Sequence, residues 1–472
     1  MNFASNSSTA TLRDVLLKKI YYLRSFAFSF SCNRGIELNT TEQFVNWFRS
    51  SSPYIRNHRG RTFVIYMGGE TIEHANFSNL IHDIALLNSL GIRLVLVQGA
   101  RPQIERQLQI MNIASRCEQG WRVTSSECLR GVEQAVGQLR LHTESLLSRG
   151  LVNTPMAGAA LRVVSGNFVI AKPYGIRNGI DFGHTGEVRR VDAEAISQQL
   201  QAGYIVLLST MGFSLTGESF NCRAEDIATA AAIALKADKL IFLMDANGVH
   251  DQDNTLLAQL NLQQTETVLQ HDTNDAITKL HLQSALHACK NGVRRAHLIS
   301  HNTDGALLTE LFTRDGGGTL VTSEQYEGLR EATINDVGGV LELIASLEAD
   351  GTLVRRSREQ LELEIRQFSV IERDGMIIAC AALYPYDGKV AELACLAVHE
   401  NYRNQGRGEE LVTHLETLCR NRGLEKLFIL TTRTTHWFRE RGFDEVSIDA
   451  LPVERRKLYN MQRNSKVYCK TL

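Results

Sequence analysis

The feature that most constrains the fold is an alternation of short apolar, β-rich runs with helical segments between residues 41 and 322. The β-rich runs lie at residues 62–67, 92–97, 167–171, 204–209, 239–244 and 296–299. Segments with helical periodicity separate them, at residues 76–90, 192–201, 224–236 and 274–291. Apolar strands separated by helices are typical of a mostly parallel sheet that is covered on both faces. We therefore predict an α/β fold, with an αβα sandwich over residues 39–322.

A second, mixed α/β domain is predicted at residues 330–472, after a polar linker at residues 323–329. Asp-Gly pairs at residues 374–375 and 387–388 stand between apolar runs, which indicates β-hairpins. A strand, a glycine loop, a helix and another strand follow the hairpins. Residues 1–38 are predicted to be a poorly ordered extension.

The glycine loop reads R-x-x-G-x-G from Arg403 to Gly408 and opens an amphipathic helix. A helix start exposes unpaired N–H groups and the positive end of the helix dipole. Glycines at Gly406 and Gly408 would therefore let a pyrophosphate approach, while Arg403 and Arg407 add charge. Neither the Rossmann pattern G-x-G-x-x-G nor the Walker pattern G-x-x-x-x-G-K-[ST] fits this loop. The loop predicts a phosphate-ester ligand.

The same loop resembles motif A of the GCN5-related N-acetyltransferases, [QR]-x-x-G-x-[GA], which grips the pyrophosphate of coenzyme A. The order of hairpins, glycine-loop helix, fifth strand and a W-F-x-x-x-G-F segment at residues 437–443 extends the resemblance. It implies acetyl-CoA as co-substrate and no metal. The coenzyme site that it implies comprises backbone groups of Cys395, Leu396 and Val398 together with Arg403, Asn404, Gln405, Gly406, Arg407 and Gly408.

Composition excludes several other classes of protein. The formal net charge is -1, and the aromatic residues do not interleave with Lys or Arg clusters, which argues against nucleic-acid binding. No run approaches the roughly 18 apolar residues of a membrane span. The nine cysteines form no C-x-x-C pair, which argues against a disulfide framework or zinc site and fits a cytoplasmic protein. Arg24 interrupts the apolar run near the N-terminus, so no signal peptide is predicted.

The first domain resembles the amino-acid-kinase fold, and specifically acetylglutamate kinase. The matching segments are I-Y-M-G-G at 65–69, V-Q-G-A-R-P-Q-I at 97–104, N-C-R-A-E-D-I-A at 221–228, L-K-A-D-K-L-I-F-L-M-D at 235–245 and G-A-L-L-T-E-L-F-T-R-D-G-G-G-T at 305–319. Tyr66 stands where those kinases have the lysine that offsets charge on the transferred phosphoryl group. Their glycine triplet is interrupted by Ala100 and Arg101, and their acidic residue appears as Glu225 or Asp226. We therefore predict an inactive kinase domain.

Arginine-sensitive members of that family bind L-arginine beside the stretch that matches residues 305–319, under a mobile N-terminal helix. The sequence predicts such a helix at residues 41–54, ending near Pro53. A carboxylate such as Glu310 can take a guanidinium bidentately, and glycine backbone can approach an amino acid closely. The alternative is that Glu310 is a solvated helix residue. The resemblance implies an allosteric arginine site that comprises Tyr54, Lys236, Glu310 and Gly318.

The chemistry of acetyl transfer suggests two proton-handling residues. An attacking amine must be neutral, and the leaving thiolate needs a proton or a hydrogen-bond donor. Glu392, three residues before Cys395 on the central strand, is the predicted base, directly or through water. Many relatives protonate the thiolate with a tyrosine where this chain has Phe438, so Thr431 is the predicted donor. Two alternatives stay open: Glu392 as a structural ion-pair partner, and Cys395 as an acyl-accepting nucleophile.

Arginines near the second domain's first helices and C-terminus could hold an acid with two carboxylates, which Arg forks match bidentately. With the kinase-like domain, this makes the chain from about residue 40 resemble the long bacterial N-acetylglutamate synthases. That resemblance implies acetylation of L-glutamate in the first step of arginine synthesis, feedback inhibition by L-arginine, and a homo-oligomer, suspected to be a hexamer. It assigns glutamate binding to Arg355, Arg455, Arg463 and Ser465.

Two other functions stay open from the sequence. An acetylglutamate kinase with an accessory C-terminal domain is disfavoured by Tyr66. An amino-acid-sensing acetyltransferase that acts on protein lysines would need an acidic or open groove instead of an arginine cluster.

Overall fold

The computed structural model describes residues 40–118, 120–149, 157–158, 161–271, 273–323, 327–373, 375–403, 406–460 and 463–472. The predicted extension at residues 1–38 lies outside this part of the chain. The chain divides into two units, Met1–Arg56 and Asn57–Leu472. The first helix, α1 (Thr40–His58), contains Pro53 in its interior, so the predicted helix end near Pro53 is wrong. Proline removes one backbone hydrogen bond, and α1 continues beyond it regardless.

The second unit begins with alternating strands and helices. Its helices in this half are α2 (Gly69–Glu73), α3 (Phe77–Ser89), α4 (Arg101–Ile110), α5 (Ser126–Leu147), α6 (Ala193–Gln201), α7 (Ala224–Ala234), α8 (Leu262–Gln270), α9 (Ala276–Lys290) and α10 (Ala306–Phe312). Its strands are β1 (Thr62–Met67), β2 (Arg93–Gln98), β3 (Arg116–Glu118), β4 (Trp121–Val123), β5 (Val163–Val164), β6 (Val169–Pro173), β7 (Ile176–Arg177), β8 (Ile180–Asp181), β9 (Thr185–Val191), β10 (Ile205–Leu208), β11 (Met211–Phe213), β12 (Ser219–Cys222), β13 (Lys239–Met244), β14 (Gln259–Asn261), β15 (Arg295–Ser300) and β16 (Thr319–Thr322).

Eight strands form the main sheet of this half, in the order β14-β16-β15-β13-β1-β2-β10-β5. Neighbouring strands run parallel except β15 and β16. Val64 and Tyr66 of β1 pack in one cluster with α7 and α9, and the residues between them point to the opposite face. Since both faces are covered, β1 and β13 are apolar and buried along most of their length. The predicted mostly parallel α/β fold is confirmed.

A closed barrel of four strands, in the order β11-β12-β9-β6, was not expected. The β-rich run predicted at residues 167–171 becomes β6, which pairs antiparallel with β9 and parallel with β11. Its assignment to the main sheet is therefore wrong. A short apolar run marks a strand, but its pairing partners are set by contacts distant in sequence.

The C-terminal part of the chain, from residue 327, forms a separate sheet, in the order β17-β18-β19-β20-β21-β23-β22. Its strands are β17 (Glu327–Glu331), β18 (Phe368–Arg373), β19 (Met376–Tyr386), β20 (Val390–Val398), β21 (Lys426–Thr431), β22 (Asp444–Val446) and β23 (Lys466–Thr471). Its helices are α11 (Val337–Ala349), α12 (Arg358–Glu364), α13 (Arg407–Asn421), α14 (Thr435–Arg439) and α15 (Val453–Lys457). Helix α13 packs on one face of the sheet and α11 on the other.

The first strand of this sheet corrects one predicted boundary. Residues 327–329 were predicted as linker, yet they belong to β17, which pairs antiparallel with β18. β17 is an edge strand with polar residues, and such strands resemble linkers in composition.

Candidate active site

The two central strands of the C-terminal sheet separate at the predicted catalytic position. β20 pairs in parallel with β21 from Val390 to Glu392 and no further, although the strands run on to Val398 and Thr431. β21 instead pairs with β23 along its whole length. The strands therefore diverge, and backbone groups of β20 beyond Glu392 border a gap. Because backbone N–H and C=O groups require partners, the gap suits an extended, amide-containing chain.

A β-bulge distorts β20 beside this gap. Ala382 pairs with Ala394 and Cys380 with Ala397, so one residue of β19 faces two residues of β20. Cys395 has a φ of 53°, in the left-handed region that non-glycine residues rarely adopt. A bulge leaves its extra residue outside the regular ladder. This geometry fits the predicted role of the Cys395 backbone as a contact for the acetyl carbonyl.

The glycine loop follows β20 and leads into α13. Gly406 precedes the helix with a φ of 81°, a conformation that favours glycine. The unpaired amides of the 15-residue helix and its dipole favour an anion here. Arg403 is exposed and donates from Nε to the carbonyl oxygen of Val398 at 3.2 Å. Asn404 and Gln405 lie outside the described residues.

Arg407 differs from its predicted role as a charge for the phosphate. Its side chain is 8% exposed, its Nη1 donates to the carbonyl oxygen of Tyr402 at 3.3 Å, and its guanidinium lies 5.2 Å from the centre of the Tyr402 ring. Arg407 therefore fixes the shape of the loop, whereas Arg403 is placed to add charge. At Gly408 an added Cβ would meet the Trp437 ring at 3.4 Å, an ordinary contact, so space alone does not demand glycine there.

The predicted base, Glu392, is bonded directly to a predicted substrate residue, Arg455. Arg455 donates from Nε to one carboxylate oxygen at 2.6 Å and from Nη2 to the other at 3.1 Å. Tyr386 adds a hydrogen bond at 3.2 Å, and Glu392 is only 5% exposed. Burial disfavours the charged guanidinium, but the hydrogen bonds and charge of Glu392 outweigh it and raise the pKa of Arg455. Burial and then Glu392 raise the pKa of Tyr386 to about 12.

Two further arginines, Arg356 and Arg463, lie within electrostatic range of Arg455. Burial and then the charges of Arg356 and Arg455 lower the pKa of Arg463, so the three cations lie close enough to repel one another. Among the described residues, no partner is found for the buried Nε of Arg463. Arg355 is exposed, and Arg356 is the member of this pair whose charge acts on Arg463. The glutamate-binding role of Arg355 stays a prediction. Neighbouring cations of this kind favour a ligand with more than one negative charge.

Arg356 also lies near the bulge. Its charge lowers the pKa of the Cys395 thiol, after a larger contribution from the hydrogen bond with Cys380 and against burial, which raises that pKa. Cys395 is only 5% exposed. Arg356 hydrogen-bonds Tyr384, and Tyr384 donates to Glu364 at 2.6 Å.

Thr431 and Ser465 are the remaining predicted site residues of this domain. Thr431 ends β21, and its hydroxyl lies 3.0 Å from that of Thr434. Ser465 is buried, and its carbonyl oxygen accepts a hydrogen bond from Tyr459 at 2.6 Å. Both stay predictions.

In the kinase-like domain, Tyr66 stands at the position where the related kinases have a catalytic lysine. Tyr66 donates to Glu225 at 3.0 Å, and both side chains are buried. Burial and then Glu225 raise the pKa of Tyr66 well above its ordinary value. Asp226 instead pairs with Arg223 at 2.9 Å, and of these two residues only Glu225 lines the cleft. The cleft retains a cavity of about 210 Å³.

Glu310, predicted to bind arginine, is buried and holds the glycine loop that follows α10. Its carboxylate accepts from the backbone amides of Gly317 at 2.7 Å and Gly318 at 2.9 Å, and from His297 Nδ1 at 2.7 Å. Lys239 can only donate, and its Nζ lies 3.1 Å from His297 Nε2, so Nδ1 carries the imidazole proton. Burial alone would raise the pKa of Glu310, but these hydrogen bonds lower it. The alternative of a solvated helix residue is therefore wrong.

Two predicted effector residues lie elsewhere in the sequence and stay predictions. Lys236 is exposed just after α7, with a φ of 49°. Tyr54 belongs to α1, in the other unit of the chain.

The described residues contain neither a metal-binding cluster nor a membrane-spanning helix. Within the ranges given above, no group of three or more His, Cys, Asp or Glu residues is arranged to hold a metal ion. No helix described here has the length and apolar character to cross a membrane.

Known proteins similar to this chain cover nearly its whole described length. Residues 61–300 match the amino acid kinase family, and residues 342–443 match the acetyltransferase (GNAT) family. An amino-acid acetyltransferase of Azotobacter vinelandii is 56% identical over 430 residues, covering 91% of this chain and 99% of the relative.

Two solved structures of one relative are also similar to this chain. N-acetylglutamate synthase from Neisseria gonorrhoeae, complexed with coenzyme A and L-arginine, is 37% identical, with a TM-score of 0.81 over 91% of this chain and 99% of that one. The same gonococcal protein complexed with coenzyme A and N-acetyl-glutamate matches over the same shares with a TM-score of 0.58.

Proposed function

The chain belongs to the amino-acid acetyltransferase family, and we propose that it transfers the acetyl group of acetyl-CoA to the α-amino group of L-glutamate, under inhibition by L-arginine. It is an acyltransferase with an amino-acid-kinase-like domain and a GNAT domain, and acetyl-CoA is its co-substrate. The observation that supports the choice of acceptor is the bidentate pairing of Arg455 with Glu392, with Arg356 and Arg463 within electrostatic range of Arg455.

The acceptor is chosen by charge. Glutamate brings two carboxylates, and each can accept two hydrogen bonds from a guanidinium fork. Arg463 donates from Nη2 to the carbonyl oxygen of Thr352, and its buried Nε, without a partner among the described residues, could bind such a ligand. A protein lysine side chain would bring a positive charge to three guanidinium groups, which disfavours it.

Binding of the acceptor also releases the base. Glu392 accepts two hydrogen bonds from Arg455, which leaves its carboxylate poorly available for a proton. A carboxylate of glutamate that competes for Arg455 would free Glu392 next to the incoming amine. Glu392 then takes a proton from the ammonium group, directly or through water, and the neutral amine attacks the thioester carbonyl.

The open gap of the sheet holds the other reactant. The pantetheine arm of acetyl-CoA can add to the free backbone of β20, and its pyrophosphate can lie at the start of α13 with Arg403. Backbone groups at Cys395, Leu396 and Val398 stabilise the charge that develops on the carbonyl oxygen. Thr431 is our proposed hydrogen-bond donor to the departing thiolate.

Regulation by arginine is proposed for the kinase-like domain. We propose that L-arginine binds at the glycine loop held by Glu310. Tyr54, Lys236 and Gly318 are further proposed contacts with L-arginine. The gonococcal relative has been solved with L-arginine, which supports this ligand. We also propose that the protein forms a homo-oligomer. Within each chain, we place the boundary between the two domains between Thr322 and Glu327.

The alternative of a working acetylglutamate kinase receives no support from the cleft. Tyr66 donates its hydroxyl to Glu225 where a lysine ammonium would be needed to neutralise a phosphoryl group.

One assay tests the whole proposal. Incubation with acetyl-CoA and L-glutamate should release free thiol, L-arginine should lower that rate, and ATP with N-acetylglutamate should give no ADP. Thiol release that is indifferent to glutamate would exclude glutamate as the acceptor. Release that depends on glutamate but ignores arginine would exclude the regulatory part alone.

A further inference from the structure

A side-chain contact joins the glycine-rich loop of the kinase-like domain to the segment that precedes the coenzyme loop. Asp315 accepts a hydrogen bond from the Tyr402 hydroxyl at 3.2 Å and lies 3.5 Å from Nη2 of Arg373. Arg314 also hydrogen-bonds Tyr402 and lowers the pKa of its hydroxyl, although burial has the larger effect and raises it. Two consecutive residues of one domain therefore hold a single tyrosine of the other.

Tyr402 in turn supports the start of α13. It ends a short 3₁₀ turn four residues before Gly406, and it is only 4% exposed. Its carbonyl oxygen and the face of its ring both contact Arg407, the first residue of α13. A shift of Tyr402 would therefore move the amides proposed to bind the coenzyme pyrophosphate.

The other end of the contact is equally constrained. Glu310 holds Gly317 and Gly318 through their amides, and His297 links Glu310 to Lys239 in the main sheet. An added Cβ at Gly316 would come within 2.4 Å of Glu310, so the loop follows the carboxylate closely. An effector that binds at this loop would thus act directly on Asp315.

The gonococcal relative provides an independent observation. Its two structures match this chain over the same share of residues, with TM-scores of 0.81 for the complex with L-arginine and 0.58 for the complex with N-acetyl-glutamate. By this measure the chain is more similar in overall arrangement to the complex with L-arginine.

We propose that Asp315 is a positioning residue that acts through Tyr402 to couple arginine binding in the kinase-like domain to the coenzyme loop of the acetyltransferase domain. The inference rests on the proposed arginine inhibition and adds the residues that transmit it. If this contact stabilises the arrangement that L-arginine favours, arginine inhibits less well once the contact is lost.

Two conservative substitutions in the full-length enzyme test the proposal. Asp315→Asn removes the charge, and Tyr402→Phe removes only the hydroxyl while keeping the ring against Arg407. Each should raise the arginine concentration for half-inhibition about five- to twentyfold, the usual range of an allosteric coupling. The double variant should shift it no further than the larger single effect, because both changes weaken the same contact. Asp315→Asn should keep the rate without arginine within about threefold.

The matched control is Tyr468→Phe. Tyr468 is also buried in the acetyltransferase sheet and donates to a carboxylate, Glu445, at 3.1 Å, but this carboxylate belongs to its own domain. The control should leave arginine inhibition unchanged.

Several results would overturn the proposal while leaving the proposed function intact. An unchanged inhibition midpoint in Asp315→Asn is one. A shift in Asp315→Asn without any shift in Tyr402→Phe is another, because Asp315 would then act as an arginine ligand. Additive shifts in the double variant would show that the residues act separately. If wild-type enzyme acetylates glutamate without responding to arginine, the proposed regulation itself is wrong.

Discussion

Glu392 and Arg455 bind each other through two hydrogen bonds, of 2.6 and 3.1 Å, on strand β20 and helix α15. The predicted base and a predicted substrate ligand are thus bonded to each other. A buried pair of this kind is stable only while both charges are present, because the loss of one leaves the other buried and unpaired. A dicarboxylate acceptor can replace Glu392 as the partner of Arg455.

Glu392→Gln tests the base. The amide cannot accept the ammonium proton, so kcat should fall by about 10²- to 10⁴-fold, the usual contribution of a general base. KM for acetyl-CoA should change little. Steady-state thiol release measures both, with Glu364→Gln as control, since Glu364 accepts from Tyr384 in the same region. A kcat within threefold of wild type would leave Glu392 only its structural role.

The arginine pair at residues 355–356 offers a neighbouring comparison. Arg356→Gln should raise KM for glutamate about tenfold or more, because a charged hydrogen bond contributes roughly 1.5–3 kcal/mol. Arg355→Gln should change it little, because Arg355 is exposed. KM for acetyl-CoA serves as the internal control in both variants. The reverse pattern would restore Arg355 as the glutamate ligand.

Tyr66→Phe should lower stability without affecting acetyl transfer. It removes the hydrogen bond to the buried Glu225, and a buried polar group left without its partner costs about 1–3 kcal/mol. Arg101, 4.0 Å from Glu225, compensates only in part. Urea unfolding measures the loss. Unchanged stability would mean that water replaces the hydroxyl.

The loss of folding stability at acid pH should depend partly on His281. Burial lowers its pKa to about 4, with a further small decrease from Arg101, while Glu225 and Asp275 act in the opposite direction. Since the unfolded chain takes up this proton near pH 6.5, the contribution of His281 is complete above pH 6.5 and is lost as pH falls toward 4.

The contribution of His281 to the free energy of unfolding that is lost at low pH is at most about 3 kcal/mol. His281→Phe should therefore make stability less dependent on pH between 6.5 and 4, as measured by thermal unfolding across that range. Replacement of the exposed His142 by Gln serves as the control. An unchanged pH dependence in His281→Phe would show that His281 does not titrate on unfolding in this range.

The central strands could be predicted from the sequence to the residue. Runs at residues 62–67 and 239–244 became β1 and β13 with the same ends, because continuous apolar residues between turn formers leave little choice. The barrel strand β6 was misassigned, and β22 and β23 were not predicted. Their partners are distant in sequence, so local patterns do not reveal them.

The candidate active site could likewise be predicted from the sequence only in part. The glycine loop and the position of Glu392 followed from local pattern and resemblance. The pairing of Glu392 with Arg455 spans 63 residues, and that of Tyr66 with Glu225 spans 159, so neither is visible in sequence. The choice between Arg355 and Arg356 depends on how one short loop turns, which neighbouring identical residues cannot indicate.

The divergence of β20 from β21 bears on solubility as well as chemistry. Unpaired strand edges usually attract strands of other molecules and promote aggregation. Here the two free edges face each other inside one sheet, and each strand is bonded on its far side, to β19 and to β23. The enzyme can thus keep exposed main-chain hydrogen-bonding groups ready for a narrow, flexible reactant without offering them to a neighbouring protein.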